Sequence, residues 1–294
     1  MREPIFSLEV FPPKRDAPVG TIYDTLDGLE GLKPDFISVT YGTGRQADRT
    51  ATARICRTIR REYGIDAVAH LTARYADQDR VDEALDMFDR AGVKAVLLLR
   101  GDSVEGRRPS GVFDHASDLV SYVHARRPDL TLLGACYPET HPEAASPAED
   151  LDHLKMKVDA GVTHLISQLF YRNSDFLDFV DRAGRAGIDV PIEAGIMPIT
   201  NARQVRHMSR TCAACIPDGV QRMLERWGDE PASLKEAGII YASEQICDLV
   251  ARGVDGIHLY SMNQCEVTRR IWRNVRGLFR PGPGQGQEAG LPPR

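Results

Sequence analysis

Short apolar runs alternate with longer segments of helical periodicity along most of the chain. Eight of these runs have the length of a strand and carry Val, Ile, Leu and Ala on both faces, as buried parallel strands do. They span residues 5–11, 35–42, 66–72, 94–101, 130–137, 163–170, 189–196 and 254–261. Eight strands alternating with helices predict an α/β fold, a single (β/α)8 TIM barrel, with a doubly wound open sheet as the alternative.

The segments between the runs carry the start and stop signals of helices. Glycine closes the predicted helices 52–64 and 77–92, and a Ser-Pro pair opens the predicted helix 146–161. Three further helices are predicted between residues 196 and 254, which enlarges the seventh unit of the barrel. No Gly-x-Gly-x-x-Gly follows any strand-like run, which argues against a dinucleotide-binding open sheet.

The chain is predicted to form one catalytic domain followed by a tail. Residues 1–280 contain all the periodic segments and no linker, so we assign them to one domain. Residues 281–294 are rich in Pro and Gly and lack apolar anchors, which predicts a disordered tail.

Composition and charge exclude several classes of protein. The formal net charge of -5 argues against a nucleic-acid binder, since phosphate recognition needs clustered positive charge. No apolar run approaches the length of a membrane span, and the N-terminus does not resemble a signal peptide. The six cysteines are irregularly spaced and are interpreted as reduced thiols, so we expect a cytoplasmic protein.

Polar residues gather at or just after the ends of the apolar runs, where a (β/α)8 barrel builds its active site. They are Glu9, Thr40, Tyr41, His70, Thr72, Arg100, Asp102, Tyr137, His141, Gln168, Glu193, Tyr260 and Asn263. Glu9 stands inside an apolar run that ends at two prolines. It is either an acid that gives a proton to a substrate or an acid held by backbone donors or an arginine. The sequence alone leaves both interpretations open.

Three other stretches suggest chemistry less specifically. Gly101, between Arg100 and Asp102, lets the backbone approach a ligand, although an Arg–Asp surface pair is the alternative. His141 has no second His or Cys at a metal spacing nearby, so hydrogen bonding or a phosphate contact is favoured over a metal site. Cys212 and Cys215 form a C-x-x-C pair that can bind zinc or exchange thiols. A single pair on a helix or its end predicts buried free cysteines instead.

Nine motifs, in order, resemble those of the methylenetetrahydrofolate reductase family. They are "FSLEVFPPK", "FISVTYG", "AHLT", "LLLRGD", "ACYPETHPEA", "DLDHLKMKVDAG", "ISQLFY", "GIMPIT" and "GIHLYSMN", and they extend from residue 5 to about 277. The resemblance implies a (β/α)8 barrel that binds FAD. It also implies reduction of 5,10-methylenetetrahydrofolate to 5-methyltetrahydrofolate by ping-pong hydride transfer through flavin N5.

The resemblance implies a role for each matching residue. Glu9 matches the general acid, and Asp102 matches a catalytic carboxylate near the flavin and the pterin. Gln168, Tyr260 and Asn263 match substrate-binding positions. The positions around FAD are Thr40, His70, Arg100, Gly101, Asp102, Ala116, Tyr137, His141, Asp150 and Lys157. No metal is implied.

The electron donor is a separate question. The resemblance implies NADH, but Ala202 stands where NADH-using members carry an aromatic ring that stacks on nicotinamide or on the folate tail. Several segments look closer to the reductases of anaerobic bacteria, some of which receive electrons from a partner subunit. The alternative is therefore a flavin- and folate-binding subunit of a larger electron-transfer complex, without direct NADH activity. A homo-oligomer is also expected.

Overall fold

Eight parallel strands pair in chain order and close into a barrel. The computed structural model describes residues 3–13, 20–41 and 49–279. The strands are β1 (Ile5–Val10), β2 (Phe36–Val39), β3 (Asp66–Thr72), β4 (Ala95–Leu99), β5 (Thr131–Cys136), β6 (His164–Ser167), β7 (Ile192–Ile196) and β8 (Gly256–Tyr260). Each lies within one of the eight apolar runs, so the predicted (β/α)8 barrel is confirmed over the open sheet.

Helices follow every strand. They are α1 (Gly20–Gly28), α2 (Arg49–Glu62), α3 (Gln78–Arg90), α4 (Ala116–Arg126), α5 (Pro147–Asp159), α6 (Asn173–Arg185), α7 (Ala202–Cys212), α8 (Asp218–Trp227), α9 (Pro231–Ala251) and α10 (Cys265–Val275), with a 3-10 turn at Arg276–Phe279. Three of them, α7 to α9, lie between β7 and β8, which confirms the enlarged seventh unit.

Local signals in the sequence account for the ends of several helices. The Asp77 side chain caps α3 by accepting a hydrogen bond from the Arg80 N–H at 3.0 Å. Gly92, just after α3, has a φ of 78°, a left-handed conformation that glycine adopts without strain. The Asn201 side chain caps α7 in the same way, through the Gln204 N–H at 3.0 Å.

The described residues divide into two compact units. The first, which we call the N-terminal unit, contains the described parts of Ser7–Ala135 together with Met156–Leu165. Its strands are almost completely buried, with side chains such as Leu8, Val39 and Val68 inaccessible to solvent. Burial on both faces is typical of parallel strands covered by helices.

The second, which we call the C-terminal unit, contains the chain up to Phe6, Cys136–Lys155 and the described residues from Ile166 onward. Here β1 begins beside β8, since the Ile5 N–H donates to the Asp255 carbonyl at 2.9 Å. Helix α9 packs very close to the chain after β7. A side chain at Gly238 would bring its Cβ to 1.8 Å from the Ile199 carbonyl oxygen, so only glycine fits there.

Two sequence predictions lie partly or wholly outside the described residues. The tail over 281–294 is one of them, and the end of the second apolar run at residue 42 is the other. The assignment of residues 1–280 to one domain stays a prediction. Within the described ranges, no helix is both long enough and apolar enough to cross a membrane.

Candidate active site

Glu9 and His70 form a polar pair inside the N-terminal unit. Glu9 is the fifth of six residues in β1, and His70 is the fifth of seven in β3. The Glu9 Oε2 lies 3.6 Å from the His70 Nε2, and the two side chains are 17% and 5% exposed. The separation is longer than a hydrogen bond, but a protonated imidazole at this distance would attract the carboxylate. Neither sequence-based interpretation of Glu9 had named this neighbour.

Thr40 and Arg100 come directly after β2 and β4, at the positions the sequence predicts. The Thr40 N–H donates to the Val10 carbonyl at 3.1 Å, which ties the end of β2 to the end of β1. The Thr40 carbonyl accepts from the Thr52 hydroxyl at 2.9 Å. Arg100 is half-buried, and its carbonyl accepts from the Arg74 N–H at 2.8 Å. Both residues are thus held at the carboxyl ends of strands by backbone hydrogen bonds.

Gly101 and Asp102 continue the chain beyond β4. Gly101 has a φ of 86°, and a Cβ there would lie 3.0 Å from the Thr72 Cβ. Both the conformation and the close approach therefore favour glycine. Asp102 is exposed to solvent.

Ala116 and Lys157 belong to helices of the N-terminal unit. Ala116 is the first residue of α4 and is half-buried. Lys157 is in the last turn of α5, and its Nζ donates to the Ala135 carbonyl at 2.5 Å. That bond holds the ammonium group against the end of β5.

Tyr137, His141 and Asp150 form one cluster in the C-terminal unit. The Tyr137 and His141 rings meet edge to face with centroids 4.6 Å apart. The Asp150 Oδ2 accepts the His141 N–H at 2.9 Å, and the His141 Nδ1 accepts the Glu143 N–H at 3.0 Å. His141 thus contacts both Tyr137 and Asp150, two other positions to which the resemblance gives a place around FAD.

Gln168 and Tyr260 are linked by a residue that the sequence did not indicate, Ser167. The Tyr260 hydroxyl donates to the Ser167 carbonyl at 2.8 Å. The fully buried Ser167 hydroxyl donates to the Gln168 carbonyl at 3.0 Å and accepts the Gly195 N–H at 2.9 Å. A polar residue just before Gln168 at the end of an apolar run was the available signal.

Asn263 lies in a tight turn after β8. Asn263 and the preceding Met262 have φ values of 53° and 49°, the left-handed region that few side chains other than Asn adopt readily. The Asn263 N–H donates to the Ser261 hydroxyl at 3.1 Å, which stabilises the turn.

Two sequence-based interpretations need correction. Cys212 is buried at the end of α7, but Cys215 is exposed and follows the helix, so the pair is not buried together as predicted. Glu193 is the second residue of β7, at its amino end, because the strand begins at Ile192 rather than at Asp189. It therefore leaves the set of residues at the carboxyl ends. No group of His, Cys, Asp and Glu suited to a metal ion is found in the described part of the chain.

The methylenetetrahydrofolate reductase family model matches residues 1–276. That match covers all eight strands and every residue of the candidate site. The chain belongs to the methylenetetrahydrofolate reductase family.

Relatives from different kingdoms agree with this assignment. The chain is 34% identical over 276 residues to the 5,10-methylenetetrahydrofolate reductase of Escherichia coli (strain K12), covering 94% of this chain and 91% of that protein. It is also 34% identical over 308 residues to methylenetetrahydrofolate reductase (NADH) 1 of Arabidopsis thaliana, covering 94% of this chain and 52% of that protein. The chain thus spans about half the length of the plant relative.

A solved structure supports the fold. A protein from Clostridium thermocellum, described as binding two copies of 5-methyl-5,6,7,8-tetrahydrofolic acid, matches with a TM-score of 0.63. The match covers 94% of this chain and 96% of that one, at 16% sequence identity. At that identity the likeness shows the shared barrel and nothing about the ligand.

Each unit by itself offers groups whose chemistry suits part of an FAD molecule. The N-terminal unit offers the cations Arg100 and Lys157, which suit a diphosphate, and Gly101, where backbone can approach a ligand. The C-terminal unit offers the ring and hydroxyl of Tyr137 and the ring of His141, which suit stacking and hydrogen bonding.

Proposed function

We propose that this chain catalyses the FAD-dependent reduction of 5,10-methylenetetrahydrofolate to 5-methyltetrahydrofolate. The observation that carries the proposal is the Glu9–His70 pair at the carboxyl ends of β1 and β3, in a chain of this family. An acid placed there is at the end of the barrel where such enzymes perform their chemistry.

Glu9 is the proton donor in this proposal. Its side chain is mostly buried but keeps some exposure, so a substrate atom can reach the carboxyl group. Protonation of a folate ring nitrogen by Glu9 would open the imidazolidine ring and leave the methylene carbon ready to accept a hydride. His70 is the neighbour that helps to hold the Glu9 side chain in place.

FAD, when bound, supplies the hydride carrier at its N5 atom. In the N-terminal unit, Arg100, Lys157 and the Gly101 backbone would hold its phosphates, while Thr40 and Ala116 would line its surroundings. Asp102 would place a negative charge near the reacting groups and favour a cationic folate.

The C-terminal unit would contribute Tyr137, His141 and Asp150 to the cofactor. Gln168 and Tyr260 would bind the pterin, with Asn263 beside them. Because Ser167 accepts a hydrogen bond from Tyr260 and donates one to Gln168, it would fix the orientation of both. We therefore assign Ser167 as a positioning residue for substrate binding.

Two measurements on the purified full chain test the proposal. We expect flavin absorbance, either as isolated or after reconstitution with FAD. We then expect the anaerobically reduced protein to be reoxidised by 5,10-methylenetetrahydrofolate, with 5-methyltetrahydrofolate as product. A chain that binds no flavin after reconstitution, or a reduced flavin that the folate does not reoxidise, contradicts the proposal.

A second candidate function is favoured by Ala202. Ala202 is the first residue of α7 and packs against a buried cluster that includes Val205 and Leu224. Without an aromatic ring there, direct NADH binding loses about 0.5–1.5 kcal/mol of stacking, roughly a three- to tenfold loss of affinity. The chain would then bind flavin and folate but receive electrons from a partner subunit. Homo-oligomer formation likewise stays a prediction.

Stopped-flow mixing with NADH decides between direct and partner-mediated reduction. We expect wild type to require high NADH concentrations for flavin bleaching, and Ala202→Phe to lower the concentration needed by roughly three- to tenfold. Fast bleaching of wild type that saturates at low micromolar NADH contradicts the second candidate.

A further inference from the structure

The two cysteines of the C-x-x-C pair have opposite surroundings within the C-terminal unit. Cys212 is the last residue of α7 and is 7% exposed in an apolar cluster. Cys215 lies three residues later and is exposed. Ala213 between them has φ 57° and ψ 24°, so the chain turns sharply after the helix. The Cys215 thiol is therefore open to solvent, whereas the thiol of Cys212, three residues earlier, lies inside the protein.

Two charged side chains contact Cys215, one at its sulfur and one at its backbone N–H. The Arg172 Nη2 lies 3.6 Å from the Cys215 Sγ. The Cys215 N–H donates to the Glu139 Oε2 at 2.7 Å, which fixes the backbone of the cysteine. A guanidinium beside the sulfur attracts anionic disulfide reagents, so it brings them close to the thiol that would attack them.

Glu139 is unusually placed for a carboxylate. Its Oε1 is buried and finds no hydrogen-bond partner among the described residues. Burial raises the pKa of Glu139, and Asp175 adds to that rise, against lowering by the Cys215 N–H and Arg172. A carboxylate of this kind readily accepts a proton, so it can serve as a base near the thiol.

Tyr171 is a second buried residue whose polar group lacks a hydrogen-bond partner among the described residues, and Cys212 is its neighbour. The Tyr171 side chain is 1% exposed. Burial raises the pKa of Tyr171, with the neighbouring Cys212 as the next cause, so the phenol stays a neutral donor. Buried polar groups without a partner are rare.

We propose that Cys212 and Cys215 form a reversible dithiol–disulfide site that low-molecular-weight disulfides oxidise. The Cys215 thiolate attacks one sulfur of the disulfide RSSR, its S–S bond breaks, and RS⁻ leaves with a proton from solvent. Cys212 then loses its proton and attacks the Cys215 sulfur of the mixed disulfide. The second RS⁻ leaves as RSH, so two protein thiols become one disulfide and RSSR becomes two RSH.

Glutathione redox buffers test this site on the full chain. After equilibration, free thiols are trapped with iodoacetamide, and the chain is cut with trypsin. The peptide 211–222 carries both cysteines, and the peptide 236–252 carries the exposed Cys247 as an internal reference. We expect the 211–222 peptide to lose two hydrogens and escape alkylation, at a rate roughly tenfold above the glutathionylation of Cys247.

Variants assign the steps to the two thiols. Cys212→Ala should stop at a mixed disulfide on Cys215, and Cys215→Ser should leave the peptide unoxidised. Arg172→Gln should slow the first step roughly two- to fivefold. Arg185→Gln removes an exposed arginine at the other end of α6, the helix that Arg172 precedes; this arginine pairs with Asp181, and its loss should leave the rate unchanged. Because Cys215 and Arg172 are largely exposed, both variants are expected to fold.

Three results overturn the inference. The first is alkylation of both cysteines under all buffers in which Cys247 is already glutathionylated. The second is equal oxidation rates in the Arg172→Gln and wild-type chains together with an unchanged product in Cys212→Ala. The third is one zinc ion per purified chain that is lost on Cys215→Ser, which would make the pair a metal site.

Discussion

Two glutamates lie inside apolar strands, one near the carboxyl end of its own strand and the other near the amino end of its own strand. Glu9 is the fifth of six residues in β1, whereas Glu193 is the second of five in β7. The Glu9 side chain keeps 17% of its surface exposed, and Glu193 is completely buried. The same residue type in the same kind of sequence therefore meets two environments.

The two glutamates differ in exposure because they lie at different ends of their strands. In (β/α)8 barrels the carboxyl ends of strands build the active site, while the amino ends contribute to stability. Glu193 is fitted by packing, since its neighbour across the sheet is Gly256, which has no side chain. A Cβ on Gly256 would lie 2.9 Å from the Glu193 Cγ and from the Ile5 carbonyl oxygen. We therefore interpret Glu193 as a residue of the fold, whereas the proposed function places the chemistry at Glu9.

The largest effect is expected from Glu9→Gln. The amide keeps the shape of the side chain but cannot donate the carboxyl proton. We therefore expect oxidation of the reduced flavin by methylenetetrahydrofolate to slow by roughly 10²- to 10⁴-fold, with flavin reduction nearly unchanged. Anaerobic stopped-flow measurement of the two half-reactions checks this prediction.

Glu193→Gln is the matched control for that experiment. It makes the same chemical change in the other strand, so it should alter stability and leave the ratio of the two half-reactions intact. Equal damage to both half-reactions in Glu9→Gln would mean that Glu9 supports the fold or the flavin position instead of the proton transfer. The two glutamates would then no longer differ in role.

Periodicity predicted the strands well, because buried parallel strands leave continuous apolar runs. Periodicity predicted the first and last residues of the strands less well. The seventh run begins at Asp189, but β7 begins at Ile192, and Glu193 therefore lies at the amino end of its strand rather than in the predicted set at the carboxyl ends. Glu9 was easier to place, since two prolines mark the end of its strand.

Contacts between distant residues could not be read from the sequence. The Ser167 hydroxyl accepts a hydrogen bond from the Gly195 N–H, 28 residues away. The Ser167 backbone carbonyl accepts one from the Tyr260 hydroxyl, 93 residues away. The position of Ser167 at the end of an apolar run was a signal, but neither spacing is periodic, so its two partners could not be predicted. The Cys215 surroundings depend in the same way on Glu139, 76 residues earlier.

A smaller effect is expected from Gly256→Ala, which tests the packing around Glu193. The new methyl group would meet backbone as well as side-chain atoms, so the neighbours cannot simply rotate away. We expect the free energy of unfolding to fall by about 1–3 kcal/mol, measured by urea denaturation. Gly184→Ala in α6 is the control, since a Cβ there meets nothing within 4 Å and should stabilise by about 0.5–1 kcal/mol. Equal stabilities of the two variants would contradict tight packing at Glu193.

The smallest effect on stability is expected from Asp129→Asn, because Asp129 is neither buried nor at the end of a strand. Asp129 accepts two hydrogen bonds from Arg127, each 2.9 Å long, and its side chain is 52% exposed. These hydrogen bonds are the main cause that lowers the pKa of Asp129 from 3.8 to about 2. A lowered pKa in the folded state means that the ion pair stabilises the fold above the ordinary pKa.

That stabilisation is lost as the pH falls from about 4 towards 2, when the carboxylate takes up a proton. Solvent and salt screen an exposed pair, so Asp129→Asn should cost at most about 1 kcal/mol at pH 7. Urea denaturation of both chains across this pH range should show the difference shrinking as the pH falls. A difference that persists at pH 2, or one that exceeds the loss in Gly256→Ala, would show that Asp129 contributes by packing. The exposed Asp129 would then contribute as much to the free energy of unfolding as the buried packing at the amino end of β7.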